Sequence, residues 1–406
     1  MKKINYILLL IFFFCVGVYT GHENPEITSG VKQAYKFLFN VQKITIKTNQ
    51  MAEVKSDFIN ANSFDLYFKK KMTVTNQSTA LFVDEKNIFE AISFNGNVEN
   101  NNSIKEIKKT FNFYGKKEGG IRAAFEVNKK KFILQSNKTF NCYYASLVRV
   151  QDSKELIKSE CLPDENKIDF SGLGGGYIND NNFIYLAIGV PTHQSAEIDK
   201  LAQDLDSIFG KIIKINIDDL SNLKTNKLTY EIFSSGHRNP QGLAIVDKNI
   251  YNIEHGPHGG DEINLIMQNK NYGWPIYSLG VPYTRDRNLH LLLDKKFTMP
   301  LYTFLPAVAP SDLSECPKNL KEYYSDFDCL LALSLRAQSL FVILIESDEK
   351  KLISYEKIEF GERLRKFGKN KLMKLYEDNK SAFYIISDQN NIYEFKFKNF
   401  INNEKN

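Results

Sequence analysis

The chain has 406 residues, 43% of them hydrophobic and 13% aromatic, enough to bury a large core. Its formal net charge of +5 is small, and its basic residues are scattered rather than striped, which excludes an electrostatic nucleic-acid binder. Phe (30) and Tyr (21) are abundant while Trp occurs once, a composition that suits many short half-buried strands better than helices.

Residues 1–21 read as a secretory signal. Lys2 and Lys3 form the basic start, Ile7 to Val18 the apolar stretch, and the small residues Gly17, Thr20 and Gly21 precede a polar turn at His22. The apolar run is shorter than the roughly 20 residues that a bilayer span needs. The expectation is a secreted or periplasmic protein with no membrane span after cleavage. Cys15 lacks the small residue expected before a lipidated cysteine.

Residues 22–120 are rich in Lys, Asn and Phe, and "NGNVENNNS" (Asn95–Ser103) reads as an exposed loop to which no chemistry is assigned. Beyond it, runs such as "SLVRVQD", "NFIYLAIG", "KIIKINI", "SLFVILIES" and "NIYEFKF" alternate with Asn-, Asp-, Lys- and Gly-rich turns. Helical periodicity is weak except near Ala196–Phe209. Many strands with so few helices predict an all-β fold, and the length predicts a β-propeller of roughly six four-stranded blades in one domain, residues 22–406. After cleavage Cys142, Cys161, Cys316 and Cys329 remain, an even number that favours disulfides in an exported chain. Cys142–Cys161 and Cys316–Cys329 are the simplest pairs because each closes a short loop. Two other pairings are formally open.

The most informative stretch runs from Ser234 to Tyr283. It reads as a strand, the polar loop Gly236-His237-Arg238-Asn239-Pro240, a hairpin, and then the loop Glu254-His255-Gly256-Pro257-His258-Gly259-Gly260-Asp261-Glu262. Two loops dense in Gly, Pro, His, Arg and acidic residues, each at a strand end, suggest a shared site; two solvated polar turns are the alternative. Glycines let the backbone approach a ligand or turn carbonyls toward one, and calcium favours such oxygen-only surroundings.

"GHRNPQGLA" followed by "EHGPHGGDEINLI…KNYGWP" resembles the central signature of the soluble glucose and aldose sugar dehydrogenases that use pyrroloquinoline quinone (PQQ), the glucose/sorbosone dehydrogenase family. "AQDLDSIFGKIIKINID", "PLYTFLPAVAPSDL", "DCLLALSLRAQSLFVI" and "GERLRKF" extend the resemblance over roughly residues 165–395. It implies a six-bladed propeller with PQQ across the funnel at one end. The cofactor's oxygens would meet Arg238, Arg336, Arg363 and Arg365, with Asn239 facing it, a fitting match of guanidinium forks to a planar tricarboxylate. Calcium would be held by the backbone carbonyls of Gly256 and Pro257 and by PQQ. Asp261 and Glu262 are expected to fix the loop, and Trp274 to anchor packing. Arg363 and Arg365, two apart in a strand, should share one face, with Glu362 and Leu364 on the other.

One segment departs from the family. Hydride transfer from a sugar carbon needs a base for the hydroxyl proton, usually a histidine. In "IDFSGLGGGYIND" Asp169 stands where that histidine is expected, and the family's arginine is missing from the segment. Lys366 also replaces an acidic residue after the second arginine of the strand motif. Three explanations stand: Asp169 is the base; His193, His237, His255 or His258 substitutes; or the site binds without turnover. The expected function is therefore oxidation of an aldose or similar small alcohol or aldehyde, with electrons passed to an external acceptor. A catalytically impaired propeller that binds a sugar or partner protein through the same funnel is the alternative, with a calcium-bearing hydrolase or lactonase as a third possibility.

Overall fold

A computed structural model describes residues 58–401, apart from 62, 101–102, 117, 164–167, 193–195, 222–227 and 282–295. The described residues belong to the compact unit Ser56–Asn406; a second unit, Met1–Lys55, lies outside them. The expected secretory segment, residues 1–21, and His193 therefore lie outside the described residues.

Strands dominate, as the composition predicts. The chain opens with β1 (Phe58–Asn60) and β2 (Asp65–Thr73). It continues with β3 (Ser78–Val83), β4 (Phe89–Ser93), β5 (Asn97–Asn100) and β6 (Ser103–Glu106), an antiparallel meander. A second meander comprises β7 (Ile121–Val127), β8 (Lys130–Thr139), β9 (Cys142–Arg149) and β10 (Lys154–Lys158), with the short β11 (Leu162–Pro163) pairing to β9. A third has β12 (Gly174–Asn179), β13 (Phe183–Ile188), β14 (Lys211–Asn216) and β15 (Glu231–Ser235). Next come β16 (Pro240–Val246), β17 (Asn249–Glu254) and β18 (Asp261–Ile266); β19 (Lys270–Asn271) returns to pair with β15, and β20 (Tyr302–Phe304) pairs with β18. The next sheet is β21 (Pro310–Glu315), β22 (Phe327–Ser334), β23 (Ser339–Glu346) and β24 (Leu352–Glu359). The last strands are β25 (Leu364–Lys369), β26 (Ala382–Ser387) and β27 (Asn391–Lys398).

Two pairings join the ends of the chain. β2 runs antiparallel to β27, with Phe68 opposite Phe395, and β25 runs parallel to β3 through Gly368–Leu81 and Lys369–Phe82. The first strands of successive sheets lie against one another in the order β3, β7, β12, β16, β21, β25. Each such strand is buried almost throughout, whereas an outer strand such as β24 is mostly exposed. Aromatic side chains fill the space between sheets: Phe125 contacts Phe132 and Tyr177, and Phe383 stacks on Phe395 and Phe397. Burial of each such ring stabilises the fold by about 1.5–3 kcal/mol.

The expected helix near Ala196–Phe209 is only one α-turn, Ala196–Asp199, followed by the 3-10 turn Lys200–Ala202. Asp204 and Ser207 then continue as turns, so the apolar residues Ile208 and Phe209 enter the core from a loop rather than from a helix face. Both local disulfides form, Cys142–Cys161 and Cys316–Cys329.

The inner strands approach so closely that only glycine fits between some of them. A Cβ on Gly242 of β16 would sit 2.3 Å from the Leu313 nitrogen of β21. On Gly175 of β12, where φ is +116°, it would sit 2.3 Å from the Arg122 carbonyl oxygen. Gly242→Ala should therefore destabilise the protein by about 1–3 kcal/mol through overpacking, read as a lower denaturation midpoint with an unchanged slope.

Candidate functional site

A cleft of about 380 Å³ opens where the inner strands begin. The residues before β16 bring Arg238 and Asn239, the turn between β22 and β23 brings Arg336, and the entry to β25 brings Arg363 and Arg365. The four arginines named from the sequence thus line one cavity, together with Asn239 and Gly256. Pro257 lines a small adjoining pocket with Gly256, Trp274 and Tyr277.

Arg363 and Arg365 share one carboxylate. Arg365 Nε and Nη2 donate to the two oxygens of Asp388 at 2.5 and 2.8 Å, and Arg363 Nε donates to Oδ2 at 2.8 Å. Burial alone would raise the Asp388 pKa, but the two guanidinium groups hold it below its ordinary value. Glu362 turns away as the alternation requires, accepting hydrogen bonds from Ser387, Asn391 and Tyr393, and Leu364 enters the core. Arg336 is exposed.

Arg238 bridges the signature's two loops. Its Nη1 donates to the carbonyls of His255 (3.1 Å) and Gly256 (2.9 Å), its backbone N–H donates to Glu254, and its guanidinium lies 5.2 Å from the Trp274 ring centre. Asn239 Oδ1 accepts from Gly174 N–H and Gln241 Nε2, which ties β12 to β16. Asp261 fixes the second loop as expected, accepting N–H groups from Gly256, Val308 and Ala309. Burial raises its pKa in spite of those donors. Glu262 is raised well above the usual carboxylate value by burial and by Glu254, its partner across the ladder.

Asp169 caps the 3-10 turn Phe170–Gly172, with Oδ1 accepting Ser171 N–H at 2.7 Å, and its backbone bridges Thr192. Ser171 and Thr192, the two residues that Asp169 bonds to, line the cleft, whereas Asp169 is not among its lining residues. His237 is buried between Ser234, Glu254 and the stacked ring of Tyr272. His258 is exposed and pairs through its backbone with Val281. His255 does line the cleft. Its Nε2 lies 2.5 Å from the Pro310 carbonyl, and burial together with Arg238, Arg365 and Arg122 pushes its pKa down to about 3. It is therefore neutral, with the proton on Nε2 donated to that carbonyl.

Arg122 and Glu118 are cleft residues that the sequence reading missed. Arg122 projects from β7, donates to the carbonyls of Glu118 and Ser171, and lies 5.0 Å from the Phe94 ring centre, with Arg365 at 5.6 Å from the same ring. Burial and the charge of Arg365 lower its pKa to about 10, while Glu118 and Asp169 act the other way. A guanidinium from another strand thus stands against the segment that lacks the family's arginine. The available signal was a basic residue near the start of the mostly apolar run "IRAAFEV", whose other charge is Glu126.

Beneath the cleft, Lys366 donates to the carbonyls of Gln241 and Ser311 and lies 3.8 Å from Asp312. Lys369, three residues further on, donates to the Tyr177 carbonyl. A larger cavity of about 490 Å³ lies at the other end of the inner strands, lined by Asn179, Lys248, Glu315 and Lys369 among apolar residues. It lacks the converging guanidinium groups, so the smaller cleft is the candidate site. Among the described residues no cluster of three His, Cys, Asp or Glu side chains is placed to hold a metal ion.

Residues 97–391 match the family description Glucose / Sorbosone dehydrogenase. The chain belongs to this family, whose relatives are sugar dehydrogenases of the PQQ type. An aldose sugar dehydrogenase of Escherichia coli is 36% identical over 119 residues, which is 27% of this chain and 31% of that protein. The chain thus matches under a third of that relative's length by sequence. The crystal structure of the soluble E. coli aldose sugar dehydrogenase in its apo-form aligns over 82% of this chain and 99% of its own, with a TM-score of 0.63 and 18% identity. The PQQ-bound form of the Streptomyces coelicolor aldose sugar dehydrogenase aligns over 82% and 98%, with a TM-score of 0.56 and 16% identity. The fold is accordingly an all-β propeller.

Burial lowers the Lys366 pKa to about 8 from 10.5, helped by Lys369, Arg365 and Arg122 and opposed by Asp312. Between those values the unfolded chain binds more protons than the folded one, so stability rises with pH across that window. Relative to Lys366→Met, the wild type should gain at most about 3 kcal/mol of unfolding free energy between pH 8 and 10.5, measured by denaturant titration at each pH.

Proposed function

We propose that this protein is an exported, six-bladed propeller that uses PQQ and calcium to oxidise an aldose or a similar small alcohol or aldehyde, passing electrons to an external acceptor. The carrying observation is the convergence of Arg238, Arg336, Arg363 and Arg365 on one cleft. The succession of inner strands, with β25 beside β3 and β2 beside β27, supports six blades.

The cleft suits a planar polyanion. Asp388 is shared between two guanidinium groups, and Arg122 adds another cation. A cavity of about 380 Å³ falls within the usual range for bound cofactors. Arg238, Arg336, Arg363 and Arg365 would hold the carboxylate and quinone oxygens of PQQ, with the amide nitrogen of Asn239 facing it. The Gly256 carbonyl already meets a cation, Arg238, and a carbonyl oxygen carries a second lone pair. Gly256 and Pro257 would offer calcium two of the six to eight oxygens it takes, the cofactor and water supplying the others. Bound there, PQQ supplies the acceptor for a hydride from the substrate carbon. The chain's own task is to orient the sugar and take its hydroxyl proton, which we assign to a carboxylate oxygen of Asp169.

The capping bond of Asp169 to Ser171 favours the second reading, a propeller that binds in the same funnel without turnover. The two separate cleanly: the purified exported chain, given PQQ and calcium, should reduce a dye in the presence of an aldose. Cofactor binding without dye reduction would leave only the binding reading, and no binding would remove both the site assignment and the cofactor. Arg365→Ala should weaken PQQ binding at least about tenfold, the loss expected for a charge-assisted pair. Asp169→His should raise turnover if the remaining site is intact, with cofactor affinity unchanged.

A further inference from the structure

The large apolar side chains on the described surface are unevenly placed. The four most exposed are Phe111 (103%), Phe140 (91%), Leu305 (72%) and Leu205 (65%). All four sit on loops at the end where the cleft opens. Glu118, just before β7, lines the cleft; β7 runs away from it and β8 returns, so the turn after Thr139 that carries Phe140 is back at the same end. Phe111 joins it there, because Phe113 pairs with Asn137 and Lys138 N–H donates to the Asn112 carbonyl at 2.8 Å. Leu305 follows β20 next to the cleft residue Ala307, and Leu205 lies between the Lys200–Ala202 turn and the start of β14.

Full exposure of two phenylalanines at one tip costs apolar hydration that a purely solvated loop has no reason to carry. The surroundings of the pair are cationic. Lys108 and Lys116 are exposed on the same loop as Phe111, and Lys138 lies 4.6 Å from the Tyr143 ring centre. Lys158 lies over Tyr144, whose hydroxyl accepts from Asn112. Of the acidic residues near this loop, Glu106 is engaged by Lys109, and Glu118 lines the cleft near Arg122. Protruding aromatic rings with a collar of lysines match a lipid interface, where rings enter the headgroup boundary and ammonium groups meet anionic headgroups.

We propose that the Phe111–Phe140 tip docks the protein on a membrane surface bearing anionic headgroups, with the cleft-bearing end toward the bilayer. This does not depend on which cofactor the cleft holds. The exported chain should float with vesicles of phosphatidylcholine containing phosphatidylglycerol, and less so at high salt. Combining Phe111→Ser with Phe140→Ser should lower the partition coefficient more than about tenfold, from the lost transfer of two rings. Circular dichroism and thermal midpoint should not move, since both side chains are exposed. Lys108→Glu with Lys116→Glu should reduce binding to anionic vesicles and leave binding to pure phosphatidylcholine unchanged. Wild-type protein that stays in the dense fraction, or a double Phe variant that floats equally well, overturns the proposal. So does a wild-type dimer that the double Phe variant abolishes, because a second copy would then cover the tip.

Discussion

The seam between the two ends of the chain is the constraint on which the site depends. β2, near the start of the described residues, pairs with β27, near their end, and this sets β25 beside β3. Arg363 and Arg365 arrive at the cleft from β25, whereas Gln77 and Phe94 arrive from the sheet begun by β3. Phe94 then lies against both Arg122 and Arg365. A pairing between residues more than three hundred positions apart is entropically costly to form. Once formed, it helps bring five arginines from four separate segments of the chain to one cavity.

The electrostatics of that cavity follow from a shortage of carboxylates. Asp388 serves two arginines, Asp261 is consumed by backbone N–H groups, and Asp312 is the acid nearest to buried Lys366. The depressed values of His255, Arg122 and Lys366 have one origin: burial among like charges. A negatively charged occupant of the cleft would relieve that repulsion, whichever single side chain it met. The Gly256 carbonyl belongs to the same arrangement, since Arg238 already occupies one of its lone pairs.

Much of this was legible in the sequence, for identifiable reasons. Strand runs and turn pairs carry local information, so the all-β class and both short disulfide loops follow from composition and spacing. Arg238, Arg336, Arg363 and Arg365 were recognisable because each sits in a motif, and strand alternation placed Arg363 and Arg365 together. Arg122 was not, because its role depends on β7 lying against the Asp169 segment, a contact between elements that no local pattern records. The capping role of Asp169 was hidden for the opposite reason. Its partner, the N–H of Ser171, is two residues away, and a carboxylate there reads equally well as a cap or as a base. The short helix expected near Ala196–Phe209 forms only as far as Ala202, because the apolar residues beyond it, Ile208 and Phe209, serve a loop that folds over the core.

Lys366 and Lys369 close the middle of the molecule. They fill the space between the inner strands with bonds to the Gln241, Ser311 and Tyr177 carbonyls, and the two cavities at either end share no lining residue. The two mouths are thereby lined independently of each other. Substitutions can accumulate around the far cavity without altering the ionic surroundings of the arginine-lined one, and the two mouths are free to diverge at different rates.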